Sequence, residues 1–246
     1  MCLIIFSPTG ALVDRSVFDH AHLGNPHGIG VMSRWGVHKF FGLMAEEDAW
    51  CHLSQLAESR VPYGIHFRLA THGEVTAENC HPFHAPNSDA VVMHNGVLGM
   101  PTTDPTSARS DTSLFVERHM AGAPGPEANS YGKYYRSISR IIGRHNMFLI
   151  FHTLTGEFTI CNESSGEWAD EHWYSNPFYL PWYLEDGIGG MYGAEFAYEH
   201  FAPDEVVNSI NFDQREIEIH RLPPSSDEEG PVWGDDLGLS SQRRWV

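Results

Sequence analysis

The hydrophobic pattern opens with an uninterrupted apolar run, Cys2-Leu3-Ile4-Ile5-Phe6, which predicts a buried strand over residues 2–8 with Pro8-Thr9-Gly10 as the turn after it. Ser16 is placed to cap a short helix to about Leu23, ended by Gly24-Asn25-Pro26. His27-Gly28-Ile29-Gly30-Val31-Met32 predicts a strand whose glycines imply that another backbone or a ligand comes close. Val37 to Leu43 is its partner across Ser33-Arg34-Trp35-Gly36. Ala45 to Ala57 has the helical period, with Trp50, Leu53 and Leu56/Ala57 on one face and Glu46, Glu47 and Asp48 in the first turn. Strands are expected over Val61 to Leu69 and Asp89 to His94, the second breaking at Asn95-Gly96. Ser110 caps a helix to about His119, and Ser130 to Ile142 is a helix with Tyr131, Tyr134, Ile138, Ile141 and Ile142 on its apolar face. Met147 to His152 and Glu157 to Asn162 form a hairpin, and Glu216 to Arg221 alternates as a late strand.

After about residue 163 the period weakens into an aromatic-rich stretch (Trp168, Trp173, Tyr174, Phe178, Tyr179, Trp182, Tyr183), expected to pack as core and lid, with Trp173-Tyr174-Ser175-Asn176 near the site's rim. From Pro223 the chain is Pro, Ser, Gly and acid, ending in Arg243-Arg244-Trp245-Val246. No repeat or linker divides the chain. The expectation is one α+β domain of layered sheets and helices over residues 2–222, with a mobile acidic C-terminal tail over 223–246.

Composition narrows the functions available. With 15 Lys+Arg against 32 Asp+Glu the formal charge is −17, which disfavours nucleic acid and anionic membrane as partners. The N-terminal apolar run is too short, and lacks the basic flank, for a signal peptide, and no stretch approaches a membrane span. Four widely spaced cysteines (Cys2, Cys51, Cys80, Cys161) fit free thiols, and a cytoplasmic location is expected. Cys80, His81 and His84 are metal-type residues, but no paired zinc spacing accompanies them, so no metal site and no cofactor is expected.

Several short motifs carry chemistry, each beside a plainer meaning. Cys2 follows the initiator Met1 and opens a strand, so it is first a small core hydrophobe. If Met1 is removed, Cys2 bears both a thiol and an α-amine titrating near pH ~8, a nucleophile and base in one residue. His66-Phe67-Arg68-Leu69-Ala70-Thr71-His72-Gly73 ends a strand in donors: Arg68 offers a planar fork for a carboxylate, and Thr71 and His72 add to it. His94-Asn95-Gly96 is a turn dipeptide after a strand, or an oxyanion hole made by the Asn amide and the Gly N–H. Ser110-Asp111-Thr112-Ser113 is a helix cap, or a carboxylate set to hold a ligand ammonium.

In this order, the Met-Cys start, Arg-x-Ala-Thr-His-Gly, His-Asn-Gly and Ser-Asp-Thr resemble the class II glutamine amidotransferases of the N-terminal-nucleophile hydrolase superfamily, over roughly residues 2–162. The resemblance implies a four-layer αββα sandwich and glutamine as substrate. It implies Cys2 as the nucleophile with its own α-amine as base, Asn95 and Gly96 as the oxyanion hole, Arg68, Thr71 and His72 on the substrate carboxylate, and Asp111 on its ammonium. Leu69 stands where the family usually has an aromatic, and Ser113 where it commonly has Glu. No regular synthase domain follows, so a separate ammonia-accepting synthase in trans is implied, or a free glutaminase. The rivals are another N-terminal-nucleophile amidohydrolase acting on a different amide, and a catalytically silent binding or assembly module.

Overall fold

The computed structural model describes residues 2–71, 73–98 and 108–180, and the backbone of 205–209, 218–221 and 243–244. In chain order these form β1 (Leu3–Ser7), α1 (Arg15–Gly24), β2 (Ile29–Ser33), β3 (Gly36–Phe41), α2 (Ala45–Glu58), β4 (Tyr63–Phe67), β5 (Phe83–His84), β6 (Ala90–Asn95), α3 (Asp111–His119), α4 (Tyr131–Ile142), β7 (Met147–His152), β8 (Phe158–Cys161), β9 (Glu167–Ala169), β10 (His172–Tyr174), β11 (Glu205–Ser209), β12 (Glu218–Arg221) and β13 (Arg243–Arg244). The architecture is α+β. One sheet has the order β11-β3-β2-β4-β1-β10-β9 and the other β13-β12-β8-β7-β6-β5. All pairs are antiparallel except β12 with β8.

Alternation along each strand sends successive side chains to opposite faces, and here both faces of the central strands are covered. On β1, Leu3 and Ile5 pack with Phe18 and Ala21 of α1 and Ala49, Leu53 and Leu56 of α2. Ile4 and Phe6 face the second sheet, meeting Val91 and Met93 of β6 and Leu149 and Phe151 of β7. The other face of the second sheet, with Val92, Phe148 and Ile150, receives Phe115 and Val116 of α3 and Tyr135, Ile138 and Ile142 of α4. A strand buried on both faces has no reason to alternate polar and apolar residues, which is why Leu3–Phe6 reads as a solid apolar run.

The expected elements mostly recur with shifted ends. The β2–β3 hairpin turns at Arg34-Trp35, since Ser33 pairs with Gly36. Ser110 caps α3, accepting from the Ser113 N–H at 3.2 Å. Three expectations are corrected. Ser16 lies inside α1, whose first turn already begins with the Phe18 N–H on the Asp14 carbonyl at 3.0 Å. The buried stripe of α4 is Tyr131, Tyr135, Ile138 and Ile142, one turn-spaced row, whereas Ile141 is 58% exposed and Tyr134 only packs against its edge. The aromatic stretch, without visible period, contains β9 and β10, and β10 pairs directly with β1 (Ile5 with Tyr174, Phe6 with Trp173). The acidic tail proposed for 223–246 lies outside the described residues, apart from Arg243–Arg244, which pair with β12.

Gly30 of β2 admits a backbone, and Gly28 just before the strand admits a side chain. A Cβ on Gly30 would overlap the His81 carbonyl oxygen and sit 2.6 Å from His81 C, and one on Gly28 would overlap Cys80 Sγ. The segment 80–82 therefore lies directly on β2. All four cysteines are free, and among the described residues no helix is long and apolar enough to cross a membrane.

Candidate active site

At one end of the space between the sheets the apolar packing gives way to polar groups, and strand register dictates which. Leu3 pairs with Phe67, so the next position sets Cys2 opposite Arg68. Leu3 and Phe67 face the helices, so Cys2 and Arg68 project towards the second sheet. On β6, Val91 and Met93 face the first sheet, and Asn95 follows in the same parity. The ends of three strands thus turn Cys2, Arg68 and Asn95 towards one region.

Cys2 is half-buried and its sulfur lies against the main chain of Leu69: it accepts from the Leu69 N–H at 3.3 Å and donates to the Leu69 carbonyl at 3.4 Å. Burial pushes the thiol pKa up; the Leu69 contact and the Arg68 charge pull it down, and the Asp111 charge adds to the rise. Arg68 is 2% exposed and donates from Nη2 to the Glu74 carbonyl at 3.0 Å. Burial lowers its pKa, opposed by Cys80, Cys2 and Asp111.

Asp111 begins α3 with both oxygens engaged: Oδ2 accepts from the Leu98 N–H at 2.9 Å, and Oδ1 from the Thr112 N–H at 2.7 Å and hydroxyl at 3.3 Å. It thereby ties the segment after Gly96 to the helix start. Gly96 has φ +133°, and a Cβ there would overlap Asn146 Oδ1, so only glycine passes. Asn95 donates from Nδ2 to Ser175 Oγ at 3.0 Å, and its Oδ1 is buried with no partner among the described residues. Thr71 is exposed at the corner after β4, and His72 lies outside the described residues.

Asn79 joins two of the motifs. Its Nδ2 donates to the Glu74 carbonyl at 3.1 Å and the Ala108 carbonyl at 2.6 Å, and its Oδ1 accepts from the Ser110 N–H at 2.9 Å. The Arg68–Glu74 corner and the start of α3 are therefore held on one buried amide. Ser175 and Asn176 were noted only as rim residues; the Asn176 amide donates to the Cys2 carbonyl at 2.7 Å. A polar dipeptide after an aromatic strand is the only signal in the sequence that pointed to them.

Three buried histidines share this end. His66 Nε2 lies 3.0 Å from the His94 carbonyl, linking the two sheets, and the His66 and His81 rings stand 3.9 Å apart. His94 Nδ1 and Nε2 lie 2.7 Å from the Thr112 hydroxyl and 2.9 Å from Asn146 Oδ1. Burial pushes His66 down to about 3, with the neighbouring His94 and Arg68 adding to it, and lowers His81 and His94 as well. These rings stay neutral in the fold but charge freely in the unfolded chain. For His66 this contribution is fully present above about pH 6.5 and falls as pH drops towards 3, and His81 and His94 act in the same direction. Urea unfolding midpoints are expected to fall steadily from pH 7 to pH 4.5; a flat profile over that range would show the rings already charged or solvated. Among the described residues no group of three or more His, Cys, Asp or Glu forms a metal site.

No family model matches the chain, and a search of curated proteins finds no match.

Proposed function

We propose that the chain is a glutaminase domain of the class II glutamine amidotransferase type, with the four-layer αββα fold of the N-terminal-nucleophile hydrolases. The observation that carries this is the seat of Cys2, at the start of a central strand, opposite Arg68 in register and turned to the same region as Asn95. The packing order of helices, sheet, sheet and helices supports the fold.

Because burial raises the thiol pKa, Cys2 needs a base at neutral pH, and its own α-amine, freed by loss of Met1, is the nearest one. The sulfur attacks the side-chain amide carbon while the amine takes the thiol proton. Asn95 and the Gly96 N–H receive the oxyanion. The C–N bond breaks as the proton passes to departing ammonia, and water hydrolyses the thioester to give glutamate and restore the thiol. Arg68, helped by Thr71 and His72, holds the substrate carboxylate. Asp111 holds the ammonium through the acceptor capacity left beyond its three protein hydrogen bonds. The ammonia goes to a separate acceptor synthase or is released free, and the reaction calls for no cofactor.

The engagement of both Asp111 oxygens favours one second reading: the same chemistry on an amide that lacks an α-ammonium. One experiment separates the two. Protein shown by intact mass to have lost Met1 is assayed for ammonia release from glutamine and from glutaramate, and treated with a glutamine-mimicking electrophile whose attachment site is mapped. Faster release from glutamine with label on Cys2 is expected. Preference for glutaramate would support the second reading, and label elsewhere with no release from either would refute both.

A further inference from the structure

We propose that Ser175 is a positioning residue for Asn95: its hydroxyl can pair with either end of the Asn95 amide and so lets that amide turn over to present Nδ2 to the reacting oxygen. The proposal rests on the glutaminase reading above and concerns how that site is held. Ser175 is 1% exposed and directly follows β10, the strand paired with β1. Its Oγ accepts from the Ile4 N–H at 2.9 Å and from Asn95 Nδ2 at 3.0 Å, while its own N–H donates to the Ile4 carbonyl at 3.0 Å. One residue thus bonds both the strand that carries the nucleophile and the amide assigned to the oxyanion. Asn176 extends the clamp: its Nδ2 donates to the Cys2 carbonyl at 2.7 Å, and its Oδ1 accepts from the Phe178 N–H at 3.0 Å, which fixes which way that amide points.

The orphan atom is Asn95 Oδ1, which is buried and has no hydrogen-bond partner among the described residues. Leaving such an acceptor unsatisfied is unfavourable, and a carbonyl oxygen facing an incoming oxyanion would repel it. Turned over, Oδ1 would accept the Ser175 O–H, a proton that none of the described hydrogen bonds uses, and both Nδ2 hydrogens would face the side now held by Oδ1. With no acceptor there, the present orientation holds, since Nδ2 also reaches the Ser175 carbonyl at 3.5 Å. An arriving oxyanion supplies the acceptor and favours the other. Only a group that both accepts and donates serves the two states, and at this position that group is a hydroxyl.

The test is a double-mutant cycle on ammonia release from glutamine, in protein with Met1 removed. Ser175→Ala is expected to lower kcat roughly tenfold, about one hydrogen bond's worth, with KM changed less than about twofold. Ser175→Thr should recover most of that rate, because the hydroxyl is kept. The combined variant with Asn95→Ala should be no slower than Asn95→Ala alone, since Ser175 then has no amide left to set. Losses that multiply, or a Ser175→Ala rate equal to wild type, would overturn the proposal and leave Ser175 as a clip between β1 and β10. Should Ser175→Ala fail to fold, Ser175→Cys, which keeps the volume and weakens the hydrogen bonds, carries the same cycle with the same two outcomes. Wild-type protein without ammonia release would instead refute the glutaminase reading, and this inference with it.

Discussion

Cys2→Ala is expected to abolish ammonia release from glutamine, a fall of at least about 10⁴-fold, while leaving the protein folded. The loss is large because the substitution removes the atom assigned to the covalent bond, and Arg68 and Asp111, assigned to substrate binding, cannot replace it. The fold survives because, among the described residues, the sulfur's hydrogen bonds are two long main-chain contacts, at 3.3 and 3.4 Å, both to Leu69. What holds the strand is elsewhere: Leu3, Ile4, Ile5 and Phe6 are each 0% exposed, and the Ile4 N–H and the Cys2 carbonyl are held by Ser175 and Asn176. A thermal midpoint within about 2 °C of wild type, together with lost activity, checks both halves; such a shift is less than about 1 kcal/mol for a chain of this size. Activity undiminished in Cys2→Ala would refute the nucleophile assignment. Protein that retains Met1 should be equally inactive with its thiol intact, because the α-amine is then a peptide nitrogen and cannot accept the proton.

The readable part of this molecule is what local chemistry dictates. Apolar runs buried on two faces, a Ser cap with Asp behind it, and Gly where a backbone crosses all leave marks within a few residues, so β1, α2, α3 and the crowding at Gly30 were legible. The apolar stripe of α4 was legible only to within one helical row: Tyr134 and Tyr135 are chemically alike, and packing against Phe148 and Ile150 selects Tyr135. The pairing of β10 with β1 was not legible. Trp173 and Tyr174 sit in an aromatic stretch without alternation, and their place is set by Phe6 and Ile5, 167 and 169 residues earlier in the chain. For the same reason Asn79, Ser175 and Asn176 escaped as determinants of the site. Each acts through a buried amide or hydroxyl on the main chain of a distant segment, and a single Asn or Ser carries no spacing that announces such a partner. Residue types proposed for the chemistry could be read in order along the chain; the buried polar atoms that fix their geometry could not.

Gly30→Ala carries the second large effect, and it falls on stability first. The added methyl would overlap the His81 carbonyl oxygen, with His81 C at 2.6 Å and Pro82 Cδ at 3.1 Å. Main chain cannot rotate away as a side chain can, so either β2 or the segment 79–82 must shift. β2 is fixed by antiparallel pairing on both sides, with β3 and β4. The segment is the softer party, and yet it carries Asn79, whose amide holds Glu74, Ala108 and Ser110 together, and Cys80, whose thiol lies 3.4 Å from the His27 and Thr76 carbonyls. Overpacking of this kind costs about 3 kcal/mol, so the thermal midpoint should drop by roughly 10 °C. Because Asn79 couples the Arg68 corner to the start of α3, the same shift should disturb the groups assigned to the substrate carboxylate and ammonium. KM for glutamine is therefore expected to rise more than kcat falls, which steady-state kinetics well below the new midpoint would measure. A midpoint equal to wild type would mean that the segment 79–82 does not press on β2, and a stability loss with unaltered KM would uncouple Asn79 from the substrate groups.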